Sequence, residues 1–311
     1  MRRATLLAVG ASDLVLAFPG QGSLTVGVGA PWRGHDSFRV IDEVASASGV
    51  AVGELLTTGS EDELVSTDNA QISTYALSLC ILDAAGVGGR ASWAIGHSLG
   101  EYTALVAAGL LGQGDGARLV AARGRAMRVA ADASPGGLVA AIGGDEGLAE
   151  KACEAITGLF VANLNGPGQI VFGGAQGALT SFADRAKELG FRRAIPLKVG
   201  GAFHTELMAG AVESFGPVLE STRFTEGHAQ VVANVDGAVH SDPSDWPGLL
   251  ERQLTSPVRF DACVRALPSG STVLECGPGK VLQGLIRRIR EDVVVHSVGE
   301  PADLERVELL P

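Results

Sequence analysis

The chain has 311 residues, 46% of them apolar and 19% charged, with a formal net charge of −11. That balance supports a sizeable buried core and excludes a disordered chain. The acidic balance, with no strong basic stripe, excludes nucleic acid as the main partner. The length fits one large domain or a domain carrying a second one inside it. The 43 glycines are scattered through apolar segments without a period, which suits an α/β protein with many tight turns. Cys80, Cys153, Cys263 and Cys276 lie far apart without metal-ligand spacing, as in a chain kept in a reducing cytosol.

The opening MRRATLLAVGAS loosely resembles a secretory leader, with two arginines, a short apolar run and small residues. The run is at the short end, and LVLAFPGQG follows at once as a core strand. No run approaches membrane-spanning length, so a cytoplasmic protein without a membrane partner is expected.

In chain order, residues 14–18 read as a buried strand and 72–84 as a helix. A strand at 93–95 precedes helical patterns at 99–108 and 116–131. Farther on come a helix at 207–219 and a strand at 272–275. This alternation predicts a mainly parallel sheet with helices on both faces. The middle differs. A strand at 138–142, a helix at 147–156, strands at 160–164 and 170–172 around NGPG, a helix at 178–189 and a strand at 193–199 follow one another. That β-α-β-β-α-β order is ferredoxin-like. It predicts a small domain, residues 132–196, inserted into a larger one made of 1–131 and 197–311.

A strand ending at Ile95, then GHSLG, then a helix has the form of a nucleophile elbow. The sharp turn lifts Ser98 clear of the sheet, and Gly96 and Gly100 leave room for the folded backbone. The helix start aims free N–H groups at a developing oxyanion. Six segments then occur in order: AFPGQGS (17–23), GHSLGE (96–101), NLNGPGQ (163–169), GAFH (201–204), RQLTSPVRF (252–260) and ECGPGKVL (275–282). Together they resemble the malonyl-CoA:acyl-carrier-protein transacylase family, which includes the acyltransferase domains of polyketide synthases. The resemblance spans roughly residues 13–298. It implies an α/β-hydrolase-like large domain with a ferredoxin-like insertion.

The resemblance further implies that Ser98 accepts the acyl group and that His204 is its general base. A serine hydroxyl is a weak nucleophile until a nearby base takes its proton. His204 would be held by the main-chain carbonyl of Gln253 instead of an Asp, and the N–H groups of Gln21 and Leu99 would form the oxyanion hole. Leu24 stands where the family often has a second Gln, which bears on that loop's side chains but not on its N–H groups. His97 is read as a pocket wall, and Asn165, Gln169 and Gln71 as residues near the acyl pocket. NGPG is equally a hairpin turn, and PGQG a turn after the first strand.

The segment GARLVAARGRAMRVAADA carries four arginines. At about 100° per residue, Arg118, Arg125 and Arg128 share one side, whereas Arg123 falls among Leu119, Val120, Ala126 and Met127. A guanidinium on an apolar arc needs a carboxylate partner or a cavity. The resemblance places Arg123 where the family grips the free carboxylate of malonyl, a task that suits its planar fork. Phe203, in AFH, resembles malonyl-selective members and would fill the space of an α-methyl group. Gly200, Gly201, Thr205 and Glu206 depart from common versions of that motif.

The implied reaction moves malonyl from malonyl-CoA to the phosphopantetheine thiol of an acyl carrier protein, in fatty acid or polyketide synthesis, with no bound cofactor or metal. A monomer is expected. Carriers are usually acidic, so a local basic dock is required. Arg192, Arg193, Arg287, Arg288 and Arg290 are candidates, and an ordinary solvated face is the competing reading. Two rivals stand beside the transferase: a serine hydrolase on a related scaffold, and a loading or scaffold subunit of another carrier-dependent complex, such as malonate decarboxylase.

Overall fold

The computed structural model describes residues 13–310, so the leader-like start lies outside the described residues. Among the described residues, ten strands form two sheets: β1 (Leu14–Phe18), β2 (Trp93–Gly96), β3 (Gly137–Ile142), β4 (Leu159–Gly166), β5 (Gln169–Gly174), β6 (Arg193–Pro196), β7 (Gln230–Val232), β8 (Val239–His240), β9 (Thr272–Cys276) and β10 (Val294–Val298). The larger sheet has the order β10-β9-β1-β2-β7-β8. Its neighbours run parallel except β7 and β8.

All five residues of β1 are buried, as a central parallel strand covered on both faces must be. Leu16 and Phe18 join the core on one face, Val15 and Ala17 that on the other, the two-residue alternation of a strand. Because β1 lies between β2 and β9 and all three run parallel, the loops after them emerge at the same edge. Those loops carry Gln21, Ser98 and Gly277. A Cβ on Gly277 would come within 2.4 Å of Pro19 Cγ, so the loops after β1 and β9 are in close contact.

The second sheet, order β4-β5-β3-β6, is antiparallel throughout and made wholly of residues 137–196. That order is the one a β-α-β-β-α-β chain takes in a ferredoxin-like sheet. It packs its own core around Phe172, Phe182 and Phe191, whose ring centroids lie 4.5–5.6 Å apart. Main-chain bonds join the two sheets' surroundings: Leu164 N–H donates to the Val258 carbonyl and Val258 N–H to the Ala162 carbonyl. The small sheet is thereby fixed against the segment that leads into the helix Phe260–Arg265.

Several boundaries differ from the sequence reading. The last small-sheet strand stops at Pro196 instead of 199: Leu197 N–H still donates to the Leu138 carbonyl at 2.9 Å, but Val199 N–H turns back to the Leu197 carbonyl at 3.0 Å and leaves the ladder. The helix expected over 178–189 runs Gln176–Arg185. The strands β7, β8 and β10 were not anticipated, and β7 and β8 have only three and two residues.

Two long helices cross close to the elbow. In the helix Gln113–Ala133, a Cβ on Gly124 would sit 2.7 Å from Asp68 Cα of the helix Thr67–Ala85. Glycine there lets the helices touch, which brings Gln71 beside Arg123. The elbow is tighter still: a Cβ on Gly100 would lie 2.0 Å from the Phe18 carbonyl oxygen, and one on Gly96 2.0 Å from Gly100 C. Both clashes are with backbone, which cannot rotate away. We expect Gly100→Ala to lower unfolding free energy by at least about 3 kcal/mol, the upper range for overpacking. Denaturant unfolding checks this, and a midpoint matching the unsubstituted protein would show that helix and strand do not abut.

Candidate active site

The elbow forms because β2 ends at Gly96 and the helix Gly100–Ala107 starts four residues later. Ser98 between them has φ 54°, a left-handed conformation that a non-glycine residue holds only when its surroundings over-determine it. Asn234, just past β7, supplies much of that constraint. Its Oδ1 accepts the Ser98 N–H at 2.7 Å, and its Nδ2 donates to the Gly96 carbonyl at 2.7 Å. One buried amide thus brackets the turn on both sides.

Ser98 Oγ lies 2.7 Å from His204 Nε2. On the other side of the ring, His204 Nδ1 lies 2.8 Å from the Gln253 carbonyl. A carbonyl only accepts, so Nδ1 carries the proton and Nε2 presents a bare lone pair to the hydroxyl. His204 is buried and, like Ser98, has positive φ, 62°. Burial, reinforced by the nearby charge of Arg123, pulls its pKa down to about 3 against the opposing pull of the Gln253 carbonyl. The imidazole is therefore neutral at working pH, which is the form that accepts a proton.

Arg123 is 1% exposed. Its Nη1 donates to Gln71 Oε1 at 2.6 Å, and its Nη2 donates to Gln253 Oε1 at 2.9 Å and to Ser98 Oγ at 3.2 Å. The guanidinium stands 5.3 Å from the Tyr102 ring centre. Among the described residues it forms no ion pair, and its Nε–H is buried without a hydrogen-bond partner. The helix's other arginines behave differently: Arg118 pairs with Asp115 and Arg128 with Asp68. Of the two needs stated for Arg123, a carboxylate or a cavity, the structure supplies neither in direct contact among the described residues: the guanidinium is packed against Ser98 Oγ and held by amide oxygens.

Gln21 sits on the loop after β1, and Leu99 follows Ser98. Among the described residues, neither N–H has a hydrogen-bond partner. Two such donors beside a serine are what an oxyanion site requires.

In front of Ser98 lies a cavity of about 240 Å³ between the two sheets. Gln21, His97, Ser98, Asn165, Gln169, Phe203 and His204 line it, together with the apolar Met127, Leu197, Val281 and Leu285. Gln71, Arg123 and Gln253 do not line it but pack behind Ser98 and Met127 through the bonds just given. His97 Nε2 lies 2.8 Å from Asn165 Oδ1, and its ring packs on Phe260 at 5.2 Å. Burial lowers the His97 pKa, and the ring is a wall that ties the elbow to the small sheet. Gln169 Oε1 is buried without a partner.

The proposed docking arginines separate. Arg192, Arg193, Arg287 and Arg288 are exposed. Arg290 is half-buried, and its guanidinium is held by Asp292 at 2.6 Å and by the Leu267 carbonyl at 3.0 Å. These bonds anchor the turn before β10, and they leave the guanidinium committed. Lys198 and Lys280, which sequence reading passed over, are exposed next to the cavity residues Leu197 and Val281.

Sequence reading also missed Asn234 and Glu101. Glu101 is 1% exposed; its Oε1 accepts the Asn234 N–H at 2.8 Å and its Oε2 accepts from Gln253 Nε2. Burial pushes its carboxyl up, to about 8, against the pull of those donors and of Arg123. The signal available for Glu101 was its place in the first turn of an otherwise apolar helix. Asn234 offered only an amide after a short apolar run.

Comparison with known proteins identifies the family and the fold. Residues 15–302 match the acyl transferase domain family. The malonyl CoA-acyl carrier protein transacylase of Bacillus subtilis is 35% identical over 303 residues, covering 94% of this chain and 96% of that protein. The crystal structure of MCAT from Mycobacterium tuberculosis matches with a TM-score of 0.89 at 32% identity, over 95% of this chain and 99% of that one. A structure described as a type II PKS acyl-carrier protein in complex with its malonyl-transacylase matches equally, with a TM-score of 0.89 at 32% identity and 95% and 99% coverage. The chain is a member of the acyl transferase domain family.

Proposed function

We propose that this protein is a malonyl-CoA:acyl-carrier-protein transacylase that works through a Ser98 acyl-enzyme. The observation that carries the malonyl assignment is Arg123, a buried guanidinium 3.2 Å from Ser98 Oγ with no ion-pair partner among the described residues. The substrate's free carboxylate supplies the missing charge, and Gln71 and Gln253 hold the guanidinium in place to receive it. Phe203 and Met127 line the acyl end of the cavity, and His97, Asn165 and Gln169 its walls.

In the first half-reaction, Ser98 Oγ attacks the thioester carbonyl as His204 Nε2 takes the hydroxyl proton. The Gln21 and Leu99 N–H groups receive the oxyanion. The carbon–sulfur bond breaks, and the proton passes from His204 to the departing CoA sulfur. In the second half, the phosphopantetheine thiol of the carrier gives its proton to His204 and attacks the Ser98 ester. Collapse of that intermediate returns the proton to Ser98. The Gln253 carbonyl keeps the same tautomer through both halves. Each step is carried by the chain's own side chains and N–H groups.

We further assign residues 132–196 as a small domain inserted into the catalytic one, supported by the separate sheet and core of residues 137–196. An acidic carrier would approach over the exposed Arg192, Arg193, Arg287 and Arg288. Lys198 and Lys280 stand next to residues of the cavity wall. The hydrolase reading finds no support at His204, whose orienting partner is a carbonyl and not the acid that such enzymes place there.

Mixing the protein with malonyl-CoA should give a malonyl adduct by intact mass that is absent in Ser98→Ala and clears when holo carrier protein is added. Free malonate released without a lasting adduct would sink the transferase assignment. In Arg123→Ala, the preference for malonyl-CoA over acetyl-CoA should fall about a hundredfold, or ~3 kcal/mol, the scale of a charge-assisted pair. An unchanged preference measured by competition would remove Arg123 from substrate recognition. Because burial and Arg123 hold the His204 pKa down at about 3, kcat/KM for acylation should stay flat from pH 7 down to 5, below the range in which Glu101 changes charge. An acid limb centred near 6.5 would show that the base is an ordinary solvated histidine.

A further inference from the structure

Glu101 lies in the first turn of the helix behind Ser98, 1% exposed, and touches neither the cavity nor the reacting atoms. Its two oxygens nevertheless reach both residues whose side-chain amides organise the site, Asn234 through its main-chain N–H and Gln253 through its side chain. Oε1 accepts the Asn234 N–H at 2.8 Å, and the Asn234 side chain brackets Ser98 through Ser98 N–H and the Gly96 carbonyl. Oε2 accepts from Gln253 Nε2, which also donates to the Ser98 carbonyl at 3.0 Å. The far end of the same Gln253 amide, Oε1, accepts from Arg123 Nη2 at 2.9 Å.

The chemistry of these groups allows one arrangement. A guanidinium and a backbone N–H only donate. Arg123 therefore requires the oxygen of Gln253, which turns the Gln253 NH₂ towards Glu101. Asn234 N–H and Gln253 NH₂ then both require acceptors, and a carboxyl group with two oxygens provides them. Read in the other direction, Glu101 sets which end of the Gln253 amide faces Arg123. From this geometry we infer that Glu101 is a positioning residue for malonyl selectivity: through the Gln253 amide it fixes the Arg123 guanidinium against Ser98, the place from which it is proposed to meet the substrate carboxylate. The inference rests on the proposed role of Arg123.

The isosteric change Glu101→Gln removes one acceptor and adds an NH₂ at that place. The new NH₂ opposes either Asn234 N–H or Gln253 NH₂. Relief by rotation of the Gln253 amide would turn its NH₂ against Arg123 Nη2, two donors facing each other, and the guanidinium would leave its position. Loss of a supporting hydrogen bond of this kind loosens a site without removing it.

The test compares kcat/KM for malonyl-CoA and for acetyl-CoA in the full chain, Glu101→Gln, Gln253→Met and Arg123→Ala. The malonyl-to-acetyl ratio should fall by at least about tenfold in Glu101→Gln, mainly through KM for malonyl-CoA, while acylation by acetyl-CoA continues. Gln253→Met keeps the main-chain carbonyl that orients His204 and removes the relay together with the side-chain bond to the Ser98 carbonyl; that second loss weighs on both donors alike, so the ratio should still fall. It carries the test if Glu101→Gln proves insoluble. Equal loss for both donors would make Glu101 merely structural and overturn the inference, as would an unchanged ratio. If Arg123→Ala loses the preference while both relay variants keep it, the inference fails and the role of Arg123 stands. If Arg123→Ala also keeps it, the reading of the site has failed first.

Discussion

The chain of contacts around the site begins with a backbone that does not want to be where it is. Ser98 sits at φ 54°, a conformation that costs a non-glycine residue on the order of 1–3 kcal/mol. What pays for it is distributed over the fold. Glycines at 96 and 100 let strand, turn and helix overlap at separations that no side chain would tolerate. Parallel pairing of β1 with β2 puts Phe18 against Gly96 in register. The His97 N–H accordingly donates to the Phe18 carbonyl at 3.0 Å. Asn234 then closes the turn from β7, the neighbour on the opposite side of β2. Remove the sheet order and none of these partners is adjacent.

The same buried setting makes Arg123 expensive to keep. A guanidinium withdrawn from water costs several kcal/mol unless it is paired, and burial lowers its pKa. The protein meets that cost with amide oxygens from Gln71 and Gln253 and with the face of Tyr102. Dipoles of this kind stabilise the cation without neutralising it. A direct carboxylate partner would hold Arg123 more firmly and, on the proposed reading, would compete with the substrate for the same fork. Placing the carboxyl of Glu101 one amide away keeps the site ordered and the cation available.

The sequence carried some of this and could not carry the rest, for physical reasons. The strand at 14–18 was legible to the residue because a strand buried on both faces is an unbroken apolar run. The inward face of Arg123 was legible because helical spacing alone sorts it from Arg118 and Arg128, which do reach solvent and acidic partners. Strands of two or three residues, such as β7 and β8, hold too few side chains to show a period. Asn234 was invisible for a deeper reason. Its role exists only because β7 pairs with β2, more than 130 residues earlier in the chain, and no local pattern encodes that pairing. Arg290 shows the converse: a basic residue looks like surface in a sequence until Asp292 and three carbonyls are found around it. The carbonyl of Gln253 followed from family resemblance, whereas its side chain's bridge between Glu101 and Arg123 needed coordinates.

On the proposed reading, these pieces also link selectivity to reactivity. The charge of Arg123 is one of the causes that depress His204, second to burial. A proton moving onto His204 therefore works against a positive charge already close by. A malonyl group brings a carboxylate to Arg123 and cancels that repulsion when the imidazolium must form. An acetyl group brings none. The substrate would thus be favoured twice by one contact, in binding and again in the proton transfer, the second being an interaction stronger in the transition state than in the ground state. A triad acid beside His204 would stabilise the imidazolium for any acyl donor alike and erase that difference. The main-chain carbonyl of Gln253 orients the ring without adding charge, and so leaves the substrate's own carboxylate to supply it.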